Sequence, residues 1–182
     1  MRALSRRRPK DLAMKIPLVV KKCSLPVYDK VCFDLGAQFV TAQPIWRGKN
    51  SPYAAIAKAG VRTVLCARDP QEVTADPNPF DIAEASELVL QGVAYTNVPL
   101  PHISMTQAAF NRQAADANAV INTAQAPVLI HCSTGDRASA AFAVHLVLRY
   151  GVPNKDAVRF AKTKLALQNQ QFVEWVLGFS AP

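Results

Sequence analysis

The stretch PVLIHCSTGDRASAAFAVHLVLRYG, residues 127–151, changes its pattern twice. Val128, Leu129 and Ile130 form an apolar run that is typical of a buried strand. Residues 138–150 carry apolar side chains at helical spacing. Because a polar segment of Cys, Ser, Thr, Gly, Asp and Arg separates them, the sequence predicts a tight loop from strand to helix at residues 132–137.

Helical and extended patterns alternate on either side of this stretch. Short apolar strands are predicted at 39–41, 61–67, 93–100 and 128–131, and helices at 52–60, 80–91, 106–123, 138–150, 154–167 and 170–177. Ser51 and Thr106 are predicted helix caps, and Gly60 ends the first helix. The segment DPQEVTADPNP, with three prolines, predicts an irregular loop. The alternation predicts an α/β fold, a three-layer sandwich in which helices flank a mostly parallel central sheet.

Ligands of such sheets bind beyond the carboxyl ends of the strands. Three loops are therefore expected at one edge: Arg68 to Pro70, Pro99 to Ser104, and Cys132 to Arg137. The first of these contributes Arg68 and Asp69, two charged side chains next to the polar loop.

The net charge of +8 is concentrated at the amino end. Residues 1–22 carry eight basic side chains and one acidic side chain, so the remaining chain is nearly neutral. We therefore predict a basic, flexible extension at 1–30 and one folded domain at 31–182, with no nucleic-acid partner. The extension is acid-poor and Arg-rich, as organelle transit peptides are, but its apolar run at 16–20 is too short for a membrane span. A second translation start at Met14 is an alternative.

The four cysteines, Cys23, Cys32, Cys66 and Cys132, show no C-x-x-C spacing and no accompanying His cluster. Neither a zinc site nor a disulfide framework is favoured, and we expect no metal and no cofactor. A reducing compartment such as the cytoplasm fits this cysteine usage best. Cys66, at a predicted strand end, is expected to be a core residue.

The loop at 132–137 combines features that suit an oxyanion. A loop that enters a helix points successive backbone N–H groups at one place, where the helix N-terminus adds partial positive charge. The same field stabilises a thiolate on Cys132, which makes it a candidate nucleophile. Arg137 can bind two oxygens of the anion at once, and Gly135 supplies the backbone freedom that a ring-shaped loop requires.

The segment HCSTGDRAS resembles the phosphate-binding signature His-Cys-x-x-Gly-x-x-Arg-Ser/Thr of the cysteine-dependent protein tyrosine and dual-specificity phosphatases. Arg137 departs from the signature, because four residues instead of five separate it from Cys132. With AQP (residues 42–44), AKAGVRTVLCARD and GVAYTNVPL, the shortened loop is similar to a small, mostly bacterial branch of that superfamily, also found fused to β-lactamase-like hydrolases. The resemblance covers about residues 35–150.

The resemblance implies a dual-specificity-phosphatase-like fold and hydrolysis of a phosphorylated protein or a small phosphoester through a cysteinyl-phosphate intermediate. Cys132 and Arg137 would be catalytic, and His131 would orient the loop. The family's general acid lies seven residues beyond the aromatic residue of the preceding strand, a spacing that leads from Tyr95 to His102. Asp69 is the alternative acid. Expected substrate contacts are Ser133, Thr134, Gly135, Asp136, Ala138, Ser139 and Arg68, with Asp136 read chiefly as loop structure beside a basic partner.

Two other functions stay open. A loop with four residues between Cys and Arg is also used by single-domain rhodaneses, in which Cys132 would carry a persulfide and pass sulfur on. A third reading is an inactive module that binds phosphate groups without hydrolysing them. The strand, loop and helix around GVAYTNVPLPHISMTQAAFNRQAADAN resemble dual-specificity phosphatases more than rhodaneses, which favours the phosphatase.

Overall fold

The computed structural model describes residues 19–23, 32–42, 52–75, 79–100 and 105–182. Six strands in these ranges form one sheet: β1 (Lys21–Cys23), β2 (Cys32–Asp34), β3 (Gln38–Ala42), β4 (Thr63–Cys66), β5 (Ala94–Asn97) and β6 (Val128–Cys132). Their order across the sheet is β1-β2-β3-β6-β4-β5. The four strands β3, β6, β4 and β5 run parallel, and β1 and β2 add an antiparallel edge. The predicted mostly parallel sheet is confirmed.

Seven helices are described: α1 (Tyr53–Lys58), α2 (Pro70–Ala75), α3 (Pro79–Leu90), α4 (Gln107–Thr123), α5 (Asp136–Tyr150), α6 (Asn154–Lys164) and α7 (Gln170–Leu177). Side chains from α4, α5, α6 and α7 share one apolar core with the sheet. Side chains from α1 and α3 fill a second, smaller core with the opposite face. The predicted three-layer sandwich is therefore confirmed.

β6 lies between β3 and β4, so both of its edges are paired and both of its faces are covered. All five of its residues are buried. Val128, Ile130 and Cys132 face the core with α5, whereas Leu129 faces the core with α3. The alternation of side chains along a strand then directs His131 to the α3 face, away from Cys132.

Residues next to α1 and α4 determine where these helices begin or end. The hydroxyl of Thr106 accepts a hydrogen bond from the N–H of Ala109 at 3.2 Å, as predicted for the cap of α4. Pro52 is the N-cap of α1, and Gly60 follows that helix at a φ of 90°. The predicted cap Ser51 lies outside the described residues. Trp175 is buried and stacks on Phe110, which agrees with a core role, and Trp46 lies outside the described residues.

The irregular loop expected at 69–79 is wrong in its first half, because α2 begins at Pro70. Proline needs no hydrogen-bond partner for its nitrogen at a first helical position, and the Asp69 carboxylate accepts the N–H of Gln71 at 2.8 Å. The sequence-based prediction gave more weight to the three prolines of this segment than to the helix-start signal at Asp69 and Pro70, and it therefore missed α2. The antiparallel strands β1 and β2 were missed as well, since strands of three residues carry almost no periodic signal.

β1 pairs with β2 although it belongs to the first 30 residues. The proposed division at residue 30 stays a prediction, as does the role of the basic segment before residue 19, which lies outside the described residues. Across the part of the chain that the structure describes, no helix is long and apolar enough to cross a membrane.

Candidate active site

The loop between β6 and α5 closes on the sulfur of Cys132. The backbone N–H of Gly135 donates to Cys132 Sγ at 3.1 Å. Gly135 has a φ of 100°, a left-handed conformation that a residue with a side chain rarely adopts, and it is the N-cap of α5. Cys132 thus lies at the N-terminal end of a helix with 15 residues, where the partial positive charge favours an anion.

Arg137, the second residue of that helix, is held by a carboxylate from another part of the chain. Its Nη1 lies 2.5 Å from Glu72 Oε2, and its Nη2 lies 3.0 Å from Glu72 Oε1. Nη2 also donates to Ser133 Oγ at 2.5 Å. Burial acts to lower the pKa of Arg137, but the contacts with Glu72 and Cys132 outweigh it and the pKa is raised. The guanidinium is therefore a permanently charged group fixed beside the cysteine.

Glu72 was missed by the sequence analysis because the segment that carries it was interpreted as an irregular loop. It lies in the first turn of α2, 65 residues before Arg137. Its Oε2 also accepts the backbone N–H of Asp69 at 2.9 Å, a capping-box pattern. The start signal Asp69-Pro70-Gln71-Glu72 could have revealed the helix, but not the arginine that its glutamate meets.

Asp136 connects the loop at 132–137 to the segment between α6 and α7 by hydrogen bonds. Its Oδ1 accepts the backbone N–H groups of Gln168 and Asn169 at 2.6 and 2.7 Å, and its Oδ2 accepts the hydroxyl of Thr134 at 2.9 Å. The partners that the structure describes are thus backbone amides and a hydroxyl, not the basic side chain that the sequence suggested. This arrangement directs the carboxylate towards the 168–169 segment.

A cleft of about 180 Å³ opens above the loop. Its lining combines four loop residues with one residue of α2 and two from the start of α7: Ser133, Thr134, Asp136, Arg137, Glu72, Asn169 and Phe172. Cys132 itself is fully buried. The cleft therefore presents the arginine and the loop hydroxyls, with the sulfur beneath them.

The other predicted substrate contacts occupy different environments. Ser139 is fully buried, and its hydroxyl accepts the backbone N–H of Ala166 at 3.2 Å. Ala138 is also fully buried in the first turn of α5. Arg68, which was expected to contact the substrate, is only 3 % exposed, and its Nη2 donates to the Glu72 carbonyl at 3.5 Å. Arg68 thereby supports α2.

Of the two candidates for the general acid, Asp69 lies within the described residues. His102 lies outside the described residues. Asp69 is partly exposed and caps α2 through the 2.8 Å hydrogen bond that its Oδ1 accepts from Gln71. The Asn97 side chain donates to the carbonyls of Cys66 and Arg68 at 2.8 and 2.9 Å, so it ties the end of β5 to the chain just before Asp69.

A group of titratable side chains lies behind the loop. Cys66, Glu84 and His131, here called the buried triad, are each at most 4 % exposed, and their ligand-type atoms lie within 4.8 Å of one another. Burial acts to lower the pKa of His131, but Glu84 and Cys66 raise it well above its usual range. Burial acts to raise the pKa of Cys66, but His131 lowers it overall. The triad provides three ligand-type groups, one fewer than a structural zinc site uses.

No protein-family model and no curated protein sequence matches the chain. Among solved structures, it is similar to the kinase-associated phosphatase with its catalytic-site cysteine replaced by serine, at 14 % identity over 89 % of this chain and 93 % of that chain, with a TM-score of 0.60. It is also similar to TpbA of P. aeruginosa in complex with pTyr. The identity is 14 % over 91 % of this chain and 90 % of that chain, with a TM-score of 0.59.

A candidate phosphatase of Neisseria meningitidis is similar as well, at 23 % identity over 77 % of this chain and 91 % of that chain, with a TM-score of 0.54. The three likenesses cover 77–91 % of this chain and 90–93 % of the other chains. The fold of this chain is therefore that of the cysteine-dependent phosphatases of the tyrosine and dual-specificity type.

Proposed function

We propose that this protein is a cysteine-dependent phosphatase that hydrolyses phosphomonoesters. The observation that carries the proposal is the convergence on one sulfur: Cys132 Sγ accepts the Gly135 N–H at 3.1 Å while the Arg137 guanidinium is fixed beside it by Glu72. An oriented N–H group, a helix N-terminus and an arginine around a cysteine stabilise both a thiolate and a bound phosphate.

In the first step, the Cys132 thiolate attacks phosphorus and the bond from phosphorus to the ester oxygen breaks. The phosphoryl group becomes cysteinyl phosphate, and the leaving alkoxide or phenoxide takes a proton from a general acid. Arg137 and the loop N–H groups bind the oxygens on which charge develops in the transition state. We assign the acid to His102, with Asp69 as the alternative.

In the second step, the same acid, now deprotonated, removes a proton from water, which attacks the cysteinyl phosphate. The sulfur–phosphorus bond breaks, inorganic phosphate leaves, and the Cys132 thiolate is restored. Every proton and electron pair is accounted for by the cysteine, the acid–base group and water. The chemistry uses no metal and no other cofactor.

The substrate class follows from the same site. We propose a phosphorylated protein or a small phosphoester as substrate, because Arg137 is the basic side chain in the described cleft lining and can bind one phosphate group. A reducing compartment such as the cytoplasm would keep Cys132 available as a thiolate. Among the described residues, Cys66 and Cys132 are free thiols, which suits that environment.

Sulfur transfer remains the second candidate because of the shortened loop. Only four residues separate Cys132 from Arg137, and Arg137 Nη2 is 2.5 Å from Ser133 Oγ instead of standing free above the loop. A persulfide on Cys132 would be stabilised by the same N–H groups. The inactive phosphate-binding module is the third candidate, and it requires only the loop N–H groups and Arg137.

The test is hydrolysis of para-nitrophenyl phosphate between pH 5 and 7.5, with reductant and EDTA, by the wild type, Cys132→Ser and the control Cys32→Ala. Cys32 is buried in the smaller core, whereas Cys132 belongs to the core on the other face of the sheet. Turnover that vanadate inhibits, that Cys132→Ser abolishes and that Cys32→Ala retains is expected. Folded, reduced wild type without turnover would overturn the proposal.

Two further assays separate the other candidates. Thiocyanate formation from thiosulfate and cyanide, lost in Cys132→Ser, would indicate a sulfurtransferase. Binding of a phosphotyrosine peptide without its hydrolysis, lost in Arg137→Ala, would indicate a binding module.

A further inference from the structure

The buried triad joins three elements directly behind the nucleophile. Cys66 ends β4, His131 stands next to last in β6, and Glu84 lies in the middle of α3. Cys66 and His131 are register partners in the sheet. Because His131 is the chain neighbour of Cys132 and faces α3, the triad lies on the face of the sheet opposite the Cys132 side chain.

Glu84 and His131 form a buried ion pair. Glu84 Oε1 lies 2.7 Å from His131 Nε2, and the contact has the geometry of an ion pair more than of a straight hydrogen bond. Water screens neither group, since their side chains are 5 % and 1 % exposed. A carboxylate and an imidazolium at this distance stabilise each other strongly, whereas either charge alone would be costly to bury.

The groups around His131 come from every element packed on this face. Glu84 belongs to α3, Cys66 to β4 and Tyr95 to β5, with Tyr53 of α1 further out. Burial, followed by the charge of Cys66, raises the pKa of Tyr95, so its phenol stays neutral. Among these described groups, His131 is the only one that bears a positive charge when protonated, and Glu84 is its closest acid.

A metal ion is not needed to account for these side chains. They are of the type that binds zinc, but two of the three already contact each other, and the described residues add no fourth ligand. The ion pair between Glu84 and His131, with the Cys66 thiol beside it, accounts for the grouping of these side chains.

We propose that Glu84 is a positioning residue for Cys132, acting through His131. It holds the imidazole protonated and fixed against β6, so that a positive charge stands one residue from the thiolate. The proposal rests on the proposed function for its catalytic consequence, but its central claim concerns the reactivity of the thiolate.

The experiment measures alkylation of Cys132 by iodoacetamide between pH 5 and 8.5, quantified by mass spectrometry on the peptide that contains it. Glu84→Gln is expected to leave His131 neutral and to shift the midpoint of the profile upward by about half a unit, the effect of one partly compensated charge. Alkylation at pH 6 then slows about threefold. Glu84→Asp, which keeps the charge, is expected to shift the midpoint less.

A double-mutant cycle tests whether Glu84 acts through His131. His131→Gln is expected to give a shift similar to that of Glu84→Gln, and the double variant is expected to shift no further than His131→Gln alone. The matched control is Glu87→Gln, which removes a half-buried carboxylate from the next turn of the same helix and should leave the profile unchanged. An unchanged midpoint in folded Glu84→Gln, or additive shifts in the double variant, would overturn the proposal.

Imidazole NMR on the wild type keeps the proposal testable if the variants do not fold. Because the pKa of His131 is raised well above its usual range, the ring is expected to be protonated at pH 7, and a neutral ring at pH 7 would contradict the proposal. Because alkylation and NMR require no turnover, a protein without phosphatase activity would refute the proposed function while leaving this inference to be judged on its own data.

Discussion

Arg137 and Glu72 form a two-point ion pair that connects the loop at 132–137 to α2. Both guanidinium Nη atoms meet both carboxylate oxygens, at 2.5 and 3.0 Å. The glutamate is itself fixed at the helix start by the N–H of Asp69. The arginine is thereby oriented before a ligand arrives, which reduces the entropy lost when a phosphate binds.

Removing the charge of Glu72 is expected to weaken the orientation of Arg137. For Glu72→Gln we expect kcat/KM for para-nitrophenyl phosphate to fall on the order of tenfold, about 1.4 kcal/mol of transition-state stabilisation. The exposed carboxylate of Glu174 in α7 provides the control, and Glu174→Gln should retain full activity. An increase in activity would show instead that the glutamate competes with phosphate for the arginine.

Asp136 is expected to contribute to stability and to the shape of the cleft. Asp136→Ala leaves the N–H groups of Gln168 and Asn169 without their acceptor, so the free energy of unfolding should fall by about 1–2 kcal/mol in urea titrations. Because Asn169 also lines the cleft, KM should rise. Asp116→Ala, which removes an exposed carboxylate from α4, should change neither quantity, and the prediction fails if Asp136→Ala behaves like it.

The general acid can be identified by comparing leaving groups. His102→Ala is expected to slow hydrolysis of an alkyl phosphate by roughly 10²–10⁴-fold, because an alkoxide needs a proton to leave, and to slow an aryl phosphate much less. Asp69→Asn is measured in parallel. If the hydrolysis rates of both substrates and the pH profile are unchanged in His102→Ala, His102 has no part in the mechanism. A selective loss of alkyl phosphate hydrolysis in Asp69→Asn would assign the role of general acid to Asp69.

His145 is expected to make the fold sensitive to acid. Burial, with a further contribution from the charge of Arg149, lowers the pKa of His145 to about 4. The folded protein then binds this proton less readily than the unfolded chain does, so stability is lost as the pH falls from about 6.5 towards 4. The accumulated loss is on the order of 1–3 kcal/mol.

The variant His145→Gln isolates this contribution in urea titrations at several pH values. It should be less stable than the wild type at pH 7, because the 2.9 Å contact between His145 Nδ1 and Asn118 Oδ1 is disturbed. The difference should shrink between pH 6.5 and 4. A difference that stays constant with pH would show that the histidine does not titrate in this range.

The sequence by itself determined the parts of this protein that depend on short-range pattern. The apolar run of β6, the small polar loop and the helical spacing of α5 are contiguous, so their chemistry could be predicted from one stretch of chain. The helix α7 was predicted with its observed bounds at 170–177, and the cap of α4 was identified at Thr106. Each depends on neighbours within a few residues.

Only the tertiary structure decided which distant side chains meet. Glu72 reaches Arg137 across 65 residues, and Glu84 reaches His131 because β6 lies between β3 and β4 with α3 over one face. Strand order and the packing of helices on a particular face arise from burial summed over the whole chain, and no local pattern records that sum. The loop was therefore predictable from the sequence. The contacts of Glu72 with Arg137 and of Glu84 with His131 were not.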